Sequence, residues 1–136
     1  MFELNFSPPT TESFLNIRQS VGWDNCSAEV IKKSIENTLF WVSLYENNKL
    51  VAIGRVIGDG AMYYYIQDVI VCPTRQGLGL GNQIMQHIEK YLLENASKYA
   101  EIGLFASNGK EGFYQKYGYL VRDGQKLGQA LCKFVR

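Results

Sequence analysis

The segment Val71-Cys72-Pro73-Thr74-Arg75-Gln76-Gly77-Leu78-Gly79-Leu80-Gly81 joins an apolar stretch to a glycine-spaced loop that opens into an amphipathic run. Glycines at 77, 79 and 81 remove side chains that would hold a phosphate away from main-chain amides, and they permit backbone angles other residues avoid. A helix starting there adds its first N–H groups and the positive end of its dipole. The chemistry implied is binding of a nucleotide-containing cofactor through its phosphates. Cys72, beside the loop, is a nucleophile only with a basic helper, and His87 is the one histidine available. A small packed thiol is the plainer reading of Cys72. A solvated or half-buried imidazole is the plainer reading of His87, because no second ligand or nucleophile stands at a useful spacing. No metal site is expected.

Two familiar phosphate loops fail on spacing. A dinucleotide fingerprint begun at Gly77 requires glycine or alanine where Asn82 stands, and one begun at Gly79 meets Ile84. A nucleoside-triphosphate loop requires Gly-Lys followed by Ser or Thr. The only such pair, Gly109-Lys110, is followed by Glu111 and has no glycine at 104.

The 136 residues suffice for one hydrophobic core, so residues 1–136 are expected to form a single domain. With 46% hydrophobic and 20% charged residues the chain reads as an ordinary globular protein, and a net charge of +1 argues against a nucleic-acid partner. Cys26, Cys72 and Cys132 form no CxxC pair and are expected to be reduced and mostly packed. Met1 to Phe6 lack a basic region and a long apolar run, and nowhere do about 18 apolar residues follow one another. A cytoplasmic protein without a membrane partner is the expectation.

Periodicity supplies the elements that position the loop. Glu3 to Phe6 alternates as a short strand. Thr10 or Thr11 caps a helix that carries Phe14, Leu15 and Ile17 to about Ser20, and Ser27 starts a second that ends near Asn37. Phe40–Tyr45 and Leu50–Ile57 form a hairpin across Glu46-Asn47-Asn48-Lys49. After Gly58-Asp59-Gly60, a long strand runs from Met62 to Val71 into the loop. A helix from about Leu80 to Asn95 places Ile84, Met85, Ile88, Tyr91 and Leu92 on one face, so that Glu101–Ala106 follows as a parallel strand. A short helix at about Lys110–Tyr117 ends at Gly118, and Tyr119–Val121 and Ala130–Val135 are the last strand candidates.

Gln76-Gly77-Leu78-Gly79-Leu80-Gly81 reads Q-x-x-G-x-G, preceded by Val71-x-Pro73 at a strand end, and resembles the acetyl-CoA loop of the GNAT acetyltransferase superfamily. Phe113-Tyr114-Gln115-Lys116-Tyr117-Gly118-Tyr119 is similar to that family's F-Y-x-x-x-G-F/Y segment, and the element order resembles the GNAT fold over essentially the whole chain. The resemblance implies an α/β fold of the α+β type, with a mixed, mostly antiparallel twisted sheet of about six to seven strands and about four helices. A splayed parallel strand pair would form the CoA site. It also implies transfer of an acetyl group from acetyl-CoA to a primary amine of a small molecule or peptide, through direct attack in a ternary complex.

Under that resemblance Gln76, Gly77, Leu78, Gly79, Leu80 and Gly81 take the pyrophosphate, while Val69, Ile70 and Val71 pair with pantetheine and offer an oxyanion donor. Tyr114 matches the tyrosine that protonates the departing thiolate, although a packed aromatic is the alternative. Many family members carry asparagine seven residues before that tyrosine. This chain has Ser107 there and Asn108 one place later, so Asn108 is either a pantetheine contact or part of a turn. An ammonium of reference pKa about 10.4 must lose a proton before it attacks, and Asp68 is the best placed carboxylate. Polyamine acetyltransferases carry Glu-Asp where this chain has Gln67-Asp68, and Gln67 cannot act as a base. Asp68 is thus expected to bind the amine or order a water, with structural hydrogen bonding as the alternative. Trp23 and Tyr63-Tyr64-Tyr65 line an acceptor pocket or simply pack. The other readings are a protein N-terminal or lysine acetyltransferase and a CoA-binding sensor without turnover. A homodimer through an exposed last strand is a further expectation.

Overall fold

The structure, a computed structural model, describes residues 1–136. Its elements run β1 (Glu3–Asn5), α1 (Thr11–Ser20), α2 (Ala28–Glu36), β2 (Phe40–Glu46), β3 (Lys49–Gly58), β4 (Tyr63–Val71), α3 (Leu80–Asn95), β5 (Glu101–Gly103) and α4 (Glu111–Gln115). Met1–Leu104 form one compact unit and Phe105–Arg136 a second.

In the first unit the five strands lie in the order β1-β2-β3-β4-β5, antiparallel except for the β4–β5 pair. Local chemistry sets the boundaries. Thr10 Oγ1 accepts the Ser13 N–H at 3.1 Å and Ser27 Oγ accepts that of Val30 at 3.4 Å, so each of the first two helices has its cap. Asn47 and Asn48 both take positive φ, 49° and 64°, as a two-residue hairpin turn between Glu46 and Lys49 requires. Asp59 Oδ1 accepts three N–H groups, from Ala61, Met62 and Tyr63, which fixes the β3–β4 turn and holds its carboxyl below the ordinary value.

Helices cover both faces of the sheet. On one side Phe14 and Ile17 of α1 and Ile31 and Ile35 of α2 pack with Trp41, Leu50, Ile53 and Ile70. On the other, α3 buries Leu80, Ile84, Met85, Ile88 and Leu92. Its approach is closest over Gly54 of β3, where a Cβ would collide with the Ile84 and Ile88 side chains.

The register slips by one residue opposite Gly54. Ile53 pairs with Ile70 and Arg55 with Gln67, so one β3 residue faces both Asp68 and Val69. Asp68 has φ 54°, the left-handed conformation that suits the first residue of such a bulge. Gln67 and Asp68 consequently share a face, with Gln67 Nε2 donating to Asp68 Oδ1 at 3.4 Å.

In the second unit α4 is followed by Gly118 at φ 92°, the left-handed residue expected after this helix. The sheet has five strands rather than six or seven, because Tyr119–Val121 and Ala130–Val135 are not strands. An apolar run describes side chains, and a strand is defined by a backbone ladder, which neither segment joins. The bonds there are local: Arg122 Nε donates to Gly128 O and Gln125 N to Asp123 Oδ1. Cys26 and Cys132 are exposed and Cys72 half-buried, so the thiols are free as expected but not mostly packed. No helix is long and apolar enough to cross a membrane.

Since Gly54 has no room for a methyl group beneath α3, Gly54→Ala should lower unfolding stability by about 1–3 kcal/mol. Urea unfolding of the purified variant checks this, and an unchanged midpoint would show that α3 shifts freely.

Candidate active site

β4 changes its company halfway along. Its parallel pairing with β5 covers only Tyr63–Tyr65, whereas its antiparallel pairing with β3 continues to Val71. From Ile66 onward, the edge that β5 has left has no strand beside it. Cys72 N donates to Val51 O at 2.8 Å on the β3 side, so by strand alternation Val71 presents its main-chain groups to the opposite, open side. Gln76 Nε2 donates to that Val71 carbonyl at 3.1 Å and ties the loop back to the strand.

The chain then makes a short 3-10 turn at Pro73–Arg75 and reaches Gly77 at φ 81° and Gly79 at φ 79°. A Cβ at either glycine would meet nothing within 4 Å, so these residues are dictated by backbone angle, and the space above them is open. Gly81 is an ordinary helical residue, the second of α3. The helix starts without a side-chain cap and without an acidic residue in its first turn, and its first internal bond is Gln83 N to Gly79 O at 3.1 Å. The amides of Leu80 and Gly81 stand outside the ladder, at the positive end of a 16-residue dipole. Glu46 accepts from Arg75 Nε at 2.7 Å, which raises the guanidinium pKa and anchors the start of the loop to β2. An open edge, two left-handed glycines and an uncapped helix therefore follow one another in a single stretch, Val69–Gly81.

Asp68 sits at the head of that stretch, 2% exposed and fully engaged. Its Oδ1 accepts from Arg18 Nη1 of α1, and its Oδ2 accepts from Arg55 Nε of β3 at 2.9 Å. Arg55 Nη1 goes on to Ser34 Oγ and Thr38 Oγ1, each at 3.0 Å. Both carboxylate oxygens thus accept guanidinium hydrogen bonds, an arrangement that fits the structural alternative for Asp68. Neither arginine was singled out from the sequence. For Arg55 the signal was present, since a charged residue inside the apolar run Leu50–Ile57 must find a partner, as must Asp68 inside Tyr63–Val71.

Among the aromatic candidates, Tyr64 is buried with its hydroxyl donating to Asn95 O at 3.3 Å, Tyr65 is half-buried and Tyr63 is 56% exposed. Trp23 packs against the α1/α2 core with the Arg18 guanidinium 5.3 Å from its ring centre. His87 is half-buried, edge-on to Phe6 at 5.3 Å.

Tyr114 and Asn108 belong to the second unit. Tyr114 is half-buried in α4, its ring 5.0 Å from that of Phe113. Asn108 is exposed in a turn closed by Lys110 N donating to Ser107 O at 2.9 Å. No group of three or more His, Cys, Asp or Glu side chains is placed to hold a metal ion.

The family profile of the acetyltransferase (GNAT) domain matches residues 15–136, which include the bulged strand, its open edge and the glycine loop. The chain belongs to the GNAT acetyltransferase family, whose acetyl donor is acetyl-CoA. It is 31% identical over 107 residues to an uncharacterized ycf52-like N-acetyltransferase of Prochlorococcus marinus, covering 76% of this chain and 58% of that one. Over 117 residues it is 29% identical to the chloroplastic serotonin N-acetyltransferase 2 of Oryza sativa, covering 83% and 58%. The chain thus spans less than two thirds of the length of these curated relatives. Among solved structures it is similar to a protein of unknown function from meticillin-resistant Staphylococcus aureus described as a probable acetyltransferase. That likeness has a TM-score of 0.89 and 30% identity, covering 98% of this chain and 100% of that one.

Removing one partner of the buried ion pairs should be costly. Asp68→Asn is expected to lose about 3–5 kcal/mol, because two arginines then lack their counter-ion. Denaturant unfolding measures the loss, and the Asp68→Asn/Arg55→Gln double variant should lose clearly less than the two single losses added together.

Proposed function

We propose that the chain is an N-acetyltransferase that moves an acetyl group from acetyl-CoA to a primary amine of a small molecule or peptide, by direct attack in a ternary complex. The observation that carries this reading is the continuity of Val69–Gly81. The residues fit the donor. Gly77 and Gly79 leave open space where a side chain would obstruct a pyrophosphate, and the uncapped start of α3 supplies unspent amides and positive potential. Gln76 to Gly81 hold the phosphates, and the free edge at Val69, Ile70 and Val71 takes the pantetheine as an added strand. Bound acetyl-CoA supplies an acyl carbon activated as a thioester.

The chain's own residues do the rest. A main-chain N–H on the open edge near Val69–Val71 stabilises the negative charge that develops on the carbonyl oxygen. The phenol of Tyr114 gives its proton to the departing thiolate, and Asn108 is assigned a contact to the pantetheine arm. Asp68 keeps the bulge and Arg18 in place, and a water takes the proton of the incoming ammonium. The serotonin acetyltransferase name of the rice relative belongs to that protein, and its small primary amine supports a small acceptor for this chain.

The test is release of CoA, followed with a thiol reagent, from acetyl-CoA and a broad panel of amines and peptides. Tight acetyl-CoA binding with a flat response to every acceptor would instead favour a sensor, and turnover confined to protein acceptors would favour a protein acetyltransferase. Tyr114→Phe should lower kcat by about 10² or more while leaving the acetyl-CoA KM near its original value. An unchanged kcat removes Tyr114 from the mechanism. Gly77→Val forces a branched side chain into a left-handed backbone angle and should weaken CoA binding by about tenfold or more in a calorimetric titration. Equal affinities would place the phosphates elsewhere.

A further inference from the structure

The Arg18–Asp68–Arg55 cluster sets two cations against one carboxylate, and the two guanidiniums differ in what surrounds them. Arg55 is enclosed: its side chain is 8% exposed, its Nη1 is spent on Ser34 and Thr38, and the rings of Phe14 and Trp41 lie 5.3 and 5.4 Å from its Cζ. Arg18 opens to solvent, with its side chain 20% exposed. Its Nε donates to Asn25 Oδ1 at 2.9 Å, its Nη2 to Asp24 O at 2.8 Å and its Nη1 to Asp68. A guanidinium has five N–H groups, so these three bonds leave one hydrogen on each terminal nitrogen. The faces of Phe14 and Trp23, 5.7 and 5.3 Å from its Cζ, complete a setting that holds the group in one orientation.

A fixed, partly exposed guanidinium with two unspent hydrogens on adjacent nitrogens is suited to a carboxylate or a phosphate, which it can take bidentately. The excess positive charge of the cluster points the same way, because two guanidiniums that share one carboxylate are stabilised by an arriving anion. Its position decides which anion. Arg18 is bonded to Asp68, and Asp68 precedes Val69 on the edge of β4 that β5 leaves after Tyr65.

We propose that Arg18 is the acceptor-recognition residue: the amine that is acetylated carries a carboxylate or phosphate group, and the exposed N–H groups of Arg18 bind it. This rests on the acetyl-transfer reading above, which puts the reacting carbonyl along Val69–Val71. Asp68 is then a positioning residue that aims Arg18. The same charge disfavours acceptors that are only cationic, such as diamines, since they bring a second ammonium toward a guanidinium and no anion to meet it.

Two matched pairs test this and separate the two anions: phenylalanine against phenylalaninamide, and O-phosphoethanolamine against ethanolamine. In at least one pair the anionic member should have the higher kcat/KM by about tenfold or more, expressed in KM. Arg18→Gln should bring that ratio toward one, and Arg18→Lys, which keeps the charge but not the fork, should lower it several-fold. If Arg18→Gln does not fold by circular dichroism, the lysine variant decides, and a ratio it leaves unchanged overturns the proposal. Ratios near one in both pairs for the original protein, or a ratio that survives Arg18→Gln, also overturn it.

If no amine is acetylated, the acetyl-transfer reading fails, and the anion site is read from binding alone. The four compounds are then titrated against the protein while tryptophan emission is followed, with Trp23 beside the guanidinium as reporter. A saturable change with an anionic compound but not its neutral partner, lost in Arg18→Gln, supports the site. No difference within either pair overturns it.

Discussion

The bulge in β4 is the constraint on which the rest of the first unit depends. One additional residue opposite Gly54 turns Asp68 into the left-handed region and brings Gln67 and Asp68 to the same face of the sheet. A buried carboxylate there requires counter-charges, and they come from two directions, Arg55 on the neighbouring strand and Arg18 on α1. On the opposite face the missing side chain of Gly54 admits Ile84 and Ile88 of α3. Strand register, the seat of α1 and the approach of α3 are thus fixed within a few residues of one another. Ion pairs of this kind add little net stability compared with apolar packing. Their effect here is to penalise any register or helix placement that leaves Asp68 unpaired.

Beyond the bulge, the construction passes from side chains to main chain. β5 is only three residues long and pairs with β4 at Tyr63–Tyr65, so the later half of β4 keeps an open edge. The glycine loop that follows owes its shape to positive φ at Gly77 and Gly79 and its potential to the uncapped start of α3. Main-chain amides make poor discriminators between side-chain variants of a ligand and good holders of an invariant one. A donor surface built from them suits a co-substrate common to a whole family.

What was legible in the sequence divides along the same line. Caps, turns and loop glycines act over three or four residues, and those signals placed α1 after Thr10, α2 after Ser27 and α3 at Leu80–Asn95. The glycine loop was readable for the same reason, since a left-handed angle leaves its mark on the residue that adopts it. Pairings between distant residues were not readable. Arg18 lies 50 positions from Asp68, and no local pattern distinguishes a surface arginine in the last turn of a helix from one that clamps a buried carboxylate. Ala130–Val135 shows the converse: its apolar run is compatible with a strand, and the strand ladder it lacks is not written in it.

The acceptor side obeys a different logic from the donor side. Around Arg18 the groups are side chains: the guanidinium itself on α1, held by Trp23 and Asn25 from the turn after it and by Asp68 from β4. Side chains can change without disturbing a strand register or a loop angle, so a surface built from them can alter its choice of ligand while one built from main chain stays constant. The two surfaces meet at consecutive residues, Asp68 and Val69. Apolar residues of similar volume would fill the same space with no desolvation penalty, so what the charges contribute is specificity, of strand register and of where Arg18 stands.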